Sequence, residues 1–189
     1  MMTLETVPVT MRMMLEVEPI GIYLSGTFID SRYENNKMEE IAPTLKKMRE
    51  FPVPLGMGTH YPEIITRSVE ENWDIDFYMA CMYNFRKGRE GQESGFITGK
   101  SKSDVVIVPK TDRAVMLDAL KDVRKPIIAF KIFAGGQMLV EKEESERRMH
   151  IKDTYDTIFN ALKPDDLAVM GVFQKYHDQI AVNVSVFNE

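Results

Sequence analysis

The sequence predicts an α/β protein whose parallel sheet is built from about five βα units. From Ile20 onward, short and nearly continuous apolar runs alternate five times with amphipathic stretches, which is typical of parallel strands covered by helices on both faces. Two folds satisfy this pattern, the open doubly wound sheet and the closed (β/α)8 barrel. The length of 189 residues favours the open sheet, because a full barrel usually needs about 250 residues. The absence of G-x-G-x-x-G after the first strand speaks against a dinucleotide-binding open sheet.

The first three units follow from apolar runs and helical spacing. The run IGIYLSG (20–26) predicts a strand ended by glycine, and residues 36–51 predict a helix. Residues 53–58 predict the second strand, and Pro62 is expected to open the next helix, because proline is favoured in a first helical turn. The run IDFYMACMYN (75–84) predicts the third strand. The apolar faces of the two helices are expected to be Met38, Ile41, Leu45 and Met48, and then Ile64, Ile65, Val69 and Trp73.

The last two units follow an irregular stretch. Residues 86–104 are polar and glycine-rich, which predicts a flexible insertion or a lid over a site, and VVIV (105–108) is a candidate for a short extra strand. Helices are predicted at 112–123, 146–162 and 175–187, with strands at 126–133 and 166–171. The inward side chains of the helix at 112–123 are expected to be Val115, Met116 and Leu120. We predict a single domain spanning residues 1–189.

Composition argues against several classes of protein. The net charge of −5 and the lack of a lysine-rich run argue against nucleic-acid binding. No apolar run approaches the ~20 residues of a membrane span, and the N-terminus lacks the pattern of a secretion signal, so we predict a cytoplasmic protein with no membrane partner. Cys81 is the only cysteine and the three histidines are scattered, so neither a disulfide nor a metal site is predicted.

Five motifs occur in a recognisable order: IGIYLSG (20–26), LGMGTH (55–60), MACMYN (79–84), AFKIFAGG (129–136) and GVFQKYHDQIAVN (171–183). Their order and spacing resemble the C-terminal part of an aldo/keto-reductase-type barrel over roughly residues 20–187. The resemblance implies a partial or shortened (β/α)8 barrel. The strands that carry that family's catalytic aspartate, tyrosine and lysine have no counterpart here, and its catalytic histidine falls on Gly26. A five-unit sheet would leave an edge exposed, and we expect a homo-oligomer to cover it.

The same resemblance implies that part of that family's cofactor site is retained in this chain. It places Gly135 and Gly136 where the family's loop approaches a pyrophosphate, and Asn183 near the adenine end. The residues themselves leave the cofactor unknown, and NADP is possible from the resemblance only. Lys175 is assigned to the same group of cofactor-binding residues. A glycine pair is also common in plain turns, so the turn remains an alternative for Gly135 and Gly136.

Other candidate site residues lie near predicted strand ends, where ligands of parallel βα arrays bind. His60 could act as a base or an anion donor, or it could simply bond a loop carbonyl. Asn84 and Gln174 are predicted to contact substrate, although Asn84 could instead stabilise a turn. Cys81 lies within an apolar strand and lacks electropositive neighbours in the sequence, so we interpret it as core packing.

Lys131 interrupts the apolar run IIAFKIFAGG. Because a buried ammonium without a partner is costly, this lysine must pair with a carboxylate, reach out of the strand end, or lie neutral in a pocket, as Schiff-base lysines do. We predict that Lys131 and His60 are a catalytic pair facing one pocket, with side-chain nitrogens within about 10 Å of each other, close to the turn at Gly135 and Gly136.

Three functions fit these observations. The first is an aldo/keto-reductase-like protein with a small-molecule site, for a phosphate or a carbonyl, at the strand C-termini and without the usual catalytic tetrad. The second is a lysine-dependent lyase or aldolase that uses Lys131. The third is a non-catalytic, oligomeric interaction protein. If the chain is an enzyme, we therefore expect it to be oxidoreductase-like or a lyase.

Overall fold

The computed structural model describes residues 4–84, 109–136, 138–139, 142–172, 174 and 177–189, with the backbone alone at 109 and 110. The predicted insertion at 86–104, the candidate strand at 105–108 and Lys175 lie outside the described residues. The elements, in chain order, are α1 (Val7–Leu15), β1 (Ile22–Leu24), α2 (Gly26–Glu34), α3 (Ile41–Met48), β2 (Leu55–Thr59), α4 (Pro62–Glu70), β3 (Phe77–Cys81), α5 (Pro109–Leu120), β4 (Ile127–Phe130), α6 (Glu144–Ala161), β5 (Leu167–Val169) and α7 (Gln179–Phe187). Short 3-10 turns occupy Met38–Glu40 and Ala134–Gly136.

The five strands form one parallel sheet in the order β1-β2-β3-β4-β5. This confirms the predicted α/β fold of alternating βα units. Strand order that follows chain order is the arrangement of barrel-type sheets, whereas a doubly wound sheet reverses its order at a switch point. The sheet is therefore consistent with a partial (β/α) barrel.

The two faces of the sheet differ in burial. On one face the side chains are buried, because α2 packs on β2 and α4 packs on α5 and β2 above it. These buried side chains are Ile22, Leu24, Leu55, Met57, Tyr78, Ala80, Ile127 and Ala129. On the opposite face Tyr23, Leu167 and Val169 are exposed. In a complete barrel the opposite face would be the closed interior.

Two aromatic rings cover glycines of β2 on this opposite face. The register pairs Tyr23 and Phe77 with Gly56, and a Cβ at Gly56 would lie 2.4 Å from the Phe77 ring. The Tyr23 ring covers Gly58 in the same way, with 3.1 Å between the ring and a Cβ built there. All five residues of β2 are consequently buried.

The starts of the strands are held together by aspartates. Asp76 precedes β3, and its carboxylate accepts the Leu55 amide at 2.7 Å and pairs with Arg49. Asp166 precedes β5, and it accepts the Ile127 amide at 2.8 Å. Each aspartate thus ties the beginning of its own strand to the beginning of the preceding one.

Several predicted elements need correction. Helices α1 and α2 were not expected, although Val7 and Met11 of α1 are fully buried and α1 packs on α3. The last helix begins at Gln179 rather than 175, because the Asp178 side chain caps it by accepting the Ala181 amide. Val115 is 49% exposed rather than inward.

The inward side of α5 carries an arginine instead. Arg113 is buried and bonds Asp153 at 2.9 Å and Thr154 at 3.1 Å, which joins α5 to α6. In the part of the chain that the structure describes, no helix combines the length and the apolar character that a membrane crossing requires.

Candidate active site

Three adjacent strands deliver polar side chains to the same edge of the sheet. His60 directly follows β2, Cys81 is the last residue of β3, and Lys131 directly follows β4. Because these strands are parallel and neighbouring, their C-terminal ends converge. The Lys131 Nζ lies 3.0 Å from the His60 Nε2. This confirms that the two side-chain nitrogens are close together, and the distance is that of a hydrogen bond. Their catalytic role stays a prediction.

A buried carboxylate orients His60 from the other side. Asp30 is fully buried in α2, and its Oδ2 lies 2.7 Å from the His60 Nδ1. The backbone amide of His60 also points at both carboxylate oxygens, at 3.3 Å, while the Thr59 hydroxyl donates to Oδ1 at 2.6 Å. These contacts fix the imidazole ring with Nε2 directed at Lys131.

The backbone of Lys131 has an unusual conformation. Its φ is +54° and that of Ala134 is +52°, both in the left-handed region, where a residue with a Cβ is disfavoured by roughly 1–2 kcal/mol. The strand ends at Phe130, and this reversal of the chain directs the Lys131 side chain along the edge of the sheet towards His60. Strained residues of this kind cluster at functional sites.

The site balances its charges locally. Burial lowers the pKa of His60, but Cys81 and the carboxylate of Asp30 outweigh burial and raise it to about 9. The Lys131 amine lies on one side of the ring and the carboxylate of Asp30 on the other. The raised pKa of His60 favours a protonated imidazole facing that carboxylate.

A cavity of about 240 Å³ opens beside His60 and Cys81. Its remaining walls come from the first turn of α4, the first two turns of α5 and the loop after β3: Pro62, Glu63, Asn84, Thr111, Asp112, Val115 and Met116. Asn84, predicted to contact substrate, thus shares a cavity with His60. Lys131 is not among the residues that line this cavity, so the predicted pocket shared by Lys131 and His60 stays a prediction. Cys81 is fully buried, and its thiol donates to the Tyr83 carbonyl at 3.1 Å.

The predicted cofactor residues lie around a second cavity, of about 260 Å³. Gly136 and Asn183 both line it, together with Arg147 and His177. Asn183 is buried and accepts the Tyr155 hydroxyl at 2.7 Å. His177 falls within the helix predicted at 175–187, but in the structure it precedes α7 and is exposed.

The predicted contacts of Gln174 and Gly135 are local in the structure. The Gln174 side-chain oxygen accepts the Gln179 amide at 2.7 Å, and its amide group donates to Asp178 at 2.9 Å, so this residue caps α7. Gly135 adopts a φ of +64° within the turn that follows β4. Both observations fit the turn-forming alternatives, and ligand contacts by these residues remain predictions.

The sequence pattern missed Asp30 and Thr59. A lone aspartate in the unassigned stretch 27–35 carries no spacing signal, since its partners lie 29 and 30 residues away. The available signal was S-G-T at 25–27, because Ser25 caps α2 by accepting the Thr27 amide at 3.3 Å. Among the described residues, no group of three or more metal-ligating side chains is arranged to hold a metal ion.

Comparison with known proteins adds little. No model of a known protein family matches the chain, and no curated protein matches it. Among solved structures, dihydropteroate synthase from Xanthomonas albilineans in complex with 7,8-dihydropteroate is similar over 97% of this chain and 83% of that chain, with 14% sequence identity and a TM-score of 0.28. A TM-score this low carries no argument about function. The resemblance to aldo/keto reductases stays a hypothesis, and the parallel sheet of βα units is what the structure establishes.

Proposed function

We propose that the chain is a barrel-type enzyme that binds a small carbonyl compound at the strand C-termini and reacts with it through Lys131, as lysine-dependent lyases and aldolases do. The observation that carries the proposal is the 3.0 Å contact between the Lys131 amine and the His60 imidazole. A lysine becomes a nucleophile when a neighbouring group takes its proton. Here Asp30, bonded to the far side of the imidazole, favours the proton on His60.

The proposed step is imine formation. The lone pair of the Lys131 nitrogen attacks the carbonyl carbon, a C–N bond forms, and the carbonyl oxygen becomes a hydroxyl by taking the proton from the His60 Nε2. The amine then loses its two protons, one returning to His60 and one leaving with the hydroxyl as water, so that the carbonyl compound and the amine become an imine and one water molecule. His60 acts as general acid and then as base, while Asp30 keeps the ring in position.

Trapping with borohydride tests this proposal. The protein is incubated with dihydroxyacetone and reduced, and the modified peptide is identified by mass. We expect a secondary amine on Lys131, slower modification in His60→Gln, and none at this position in Lys131→Met. Modification spread over surface lysines at equal rates in wild type and His60→Gln would contradict the proposal.

A second candidate function is binding of NADP, from the aldo/keto-reductase resemblance. It is favoured by one observation, namely that Gly136 and Asn183, placed by the resemblance at the two ends of the cofactor, line the same cavity with Arg147. Titration with NADPH, monitored by its fluorescence, tests this candidate. Lack of NADPH binding at millimolar concentration would exclude this second function. It would not bear on the proposed imine formation at Lys131.

A homo-oligomer is proposed alongside either function. The supporting observation is the exposure of apolar side chains on the last strand and the last helix, where Leu167 is 60% and Phe187 is 61% exposed. Sedimentation at several protein concentrations measures the mass in solution. A monomer at every concentration would refute the oligomer.

A further inference from the structure

The cavity beside His60 has walls with a definite chemical character. Its polar groups are two carboxylates, Glu63 and Asp112, an amide, Asn84, and a hydroxyl, Thr111. Among the described residues, none that lines this cavity is an arginine or a lysine. Of the lining residues that the structure describes, His60 is the only one that can become cationic, and the Asp30 carboxylate lies against the far side of its ring. The described walls therefore offer hydrogen-bonding groups and two carboxylates, while Lys131 is not among the lining residues and meets the site through its 3.0 Å contact with His60.

The N-termini of the neighbouring helices do not make this cavity attractive to an anionic ligand. Helices α4 and α5 both begin at this cavity, and helix N-termini attract anions. Glu63 and Asp112 are the acidic residues in the first turns of these two helices. The favourable ends of both helices thus already face carboxylates of the chain itself. A phosphate or carboxylate on a ligand would have to approach two negative groups.

From this we infer that the carbonyl substrate is a small, neutral, hydroxylated aldehyde or ketone, such as an unphosphorylated sugar, rather than a sugar phosphate or a keto acid. The inference rests on the proposed imine chemistry only for the carbonyl group. Hydroxyl groups of the ligand would donate to Glu63 and Asp112 and exchange hydrogen bonds with Asn84 and Thr111. The volume of about 240 Å³ equals that of about eight liquid water molecules, which suits a small sugar.

The test uses two ligands that share one carbonyl group. Dihydroxyacetone and dihydroxyacetone phosphate are each titrated against Lys131→Met, which cannot form an imine, and binding is followed by ligand-observed NMR. We expect dihydroxyacetone to bind about tenfold more tightly than its phosphate ester, because the ester brings charge next to two carboxylates. Equal or tighter binding of the ester would overturn the inference, and so would failure of both ligands to bind at millimolar concentration.

A matched pair of variants locates the cause of the preference. In Glu63→Gln/Asp112→Asn the preference should shrink to about threefold or less. In Glu70→Gln/Asp118→Asn, which removes one exposed carboxylate from each of the same two helices outside this cavity, it should persist. An unchanged preference in the first variant would overturn the inference.

Borohydride trapping in the wild type then separates the two proposals. If both ligands were trapped at equal rates, the result would support imine formation at Lys131 and would refute the preference for a neutral substrate. A preference for dihydroxyacetone in binding, without any trapping on Lys131, would overturn the chemistry and keep the substrate class.

Discussion

Replacing Lys131 with methionine should leave His60 bonded to Asp30, with a raised pKa and without the neighbouring amine. Methionine keeps most of the lysine stem and removes the amine that lies 3.0 Å from the imidazole. The groups that set the pKa of His60 stay in place, since burial lowers it while Cys81 and Asp30 raise it to about 9. We therefore expect imidazolium at position 60 throughout the neutral range in this variant.

The size of the effect follows from linkage. The ordinary pKa of 6.5 and the folded value of about 9, at 1.36 kcal/mol per pKa unit, correspond to about 3 kcal/mol of stability. Because the folded pKa lies above the unfolded one, this stabilisation is complete below pH 6.5 and is lost as the pH rises through about 9.

The assay compares Lys131→Met with Lys131→Met/His60→Gln, which differ only at His60. Urea unfolding between pH 6 and pH 10 gives the free energy of unfolding of each, and NMR of the imidazole ring follows its titration. We expect the difference between the two variants to fall by about 3 kcal/mol over this range. A difference that stays constant with pH would refute the reasoning. If Lys131→Met converted a carbonyl substrate at the rate of the wild type, the proposed role of the Lys131 amine would be refuted.

Three further changes test the surroundings of the site. Lys131→Gly should be more stable than Lys131→Ala by about 1 kcal/mol, because only glycine adopts a φ of +54° without strain; equal urea midpoints would contradict this. Gly56→Ala should cost about 1–3 kcal/mol, because its Cβ would lie 2.4 Å from the Phe77 ring, whereas Gly171→Ala, with nothing within 4 Å, should leave thermal unfolding nearly unchanged. Asp166→Ala should cost about 1–3 kcal/mol by leaving the Ile127 amide without its acceptor, and a neutral result in denaturant melts would argue against the aspartate ties.

The sheet was predictable from the sequence because its signals are local. Each strand is a short apolar run, and Pro62 opens α4 as predicted. The helix α2 escaped prediction because it carries a buried aspartate where an amphipathic helix would carry an apolar residue. Arg113 shows the same effect in α5, where a buried cation occupies the inward side. Polar groups in buried positions are satisfied by residues far away in the chain, and periodicity cannot show such partners.

The pairing of Lys131 with His60 was predictable for a different reason. Parallel strands place their C-terminal ends together, so residues at two such ends must be near each other whatever the details of packing. The distance of 3.0 Å was not predictable, because it depends on the left-handed backbone at Lys131 and on the carboxylate of Asp30. Neither feature leaves a pattern in the sequence.

Those two features are also the best argument that the site is functional. A purely structural turn after β4 would be served better by glycine at position 131, which would avoid the strain of a φ of +54°. A purely structural contact between α2 and β2 would not need a fully buried carboxylate, because a neutral side chain could bond the Thr59 hydroxyl at a smaller desolvation cost. What glycine and a neutral residue could not supply is an amine beside an imidazole whose positive charge is balanced. The chain thus departs from local preference at two positions 101 residues apart in sequence, and both departures act on the same histidine.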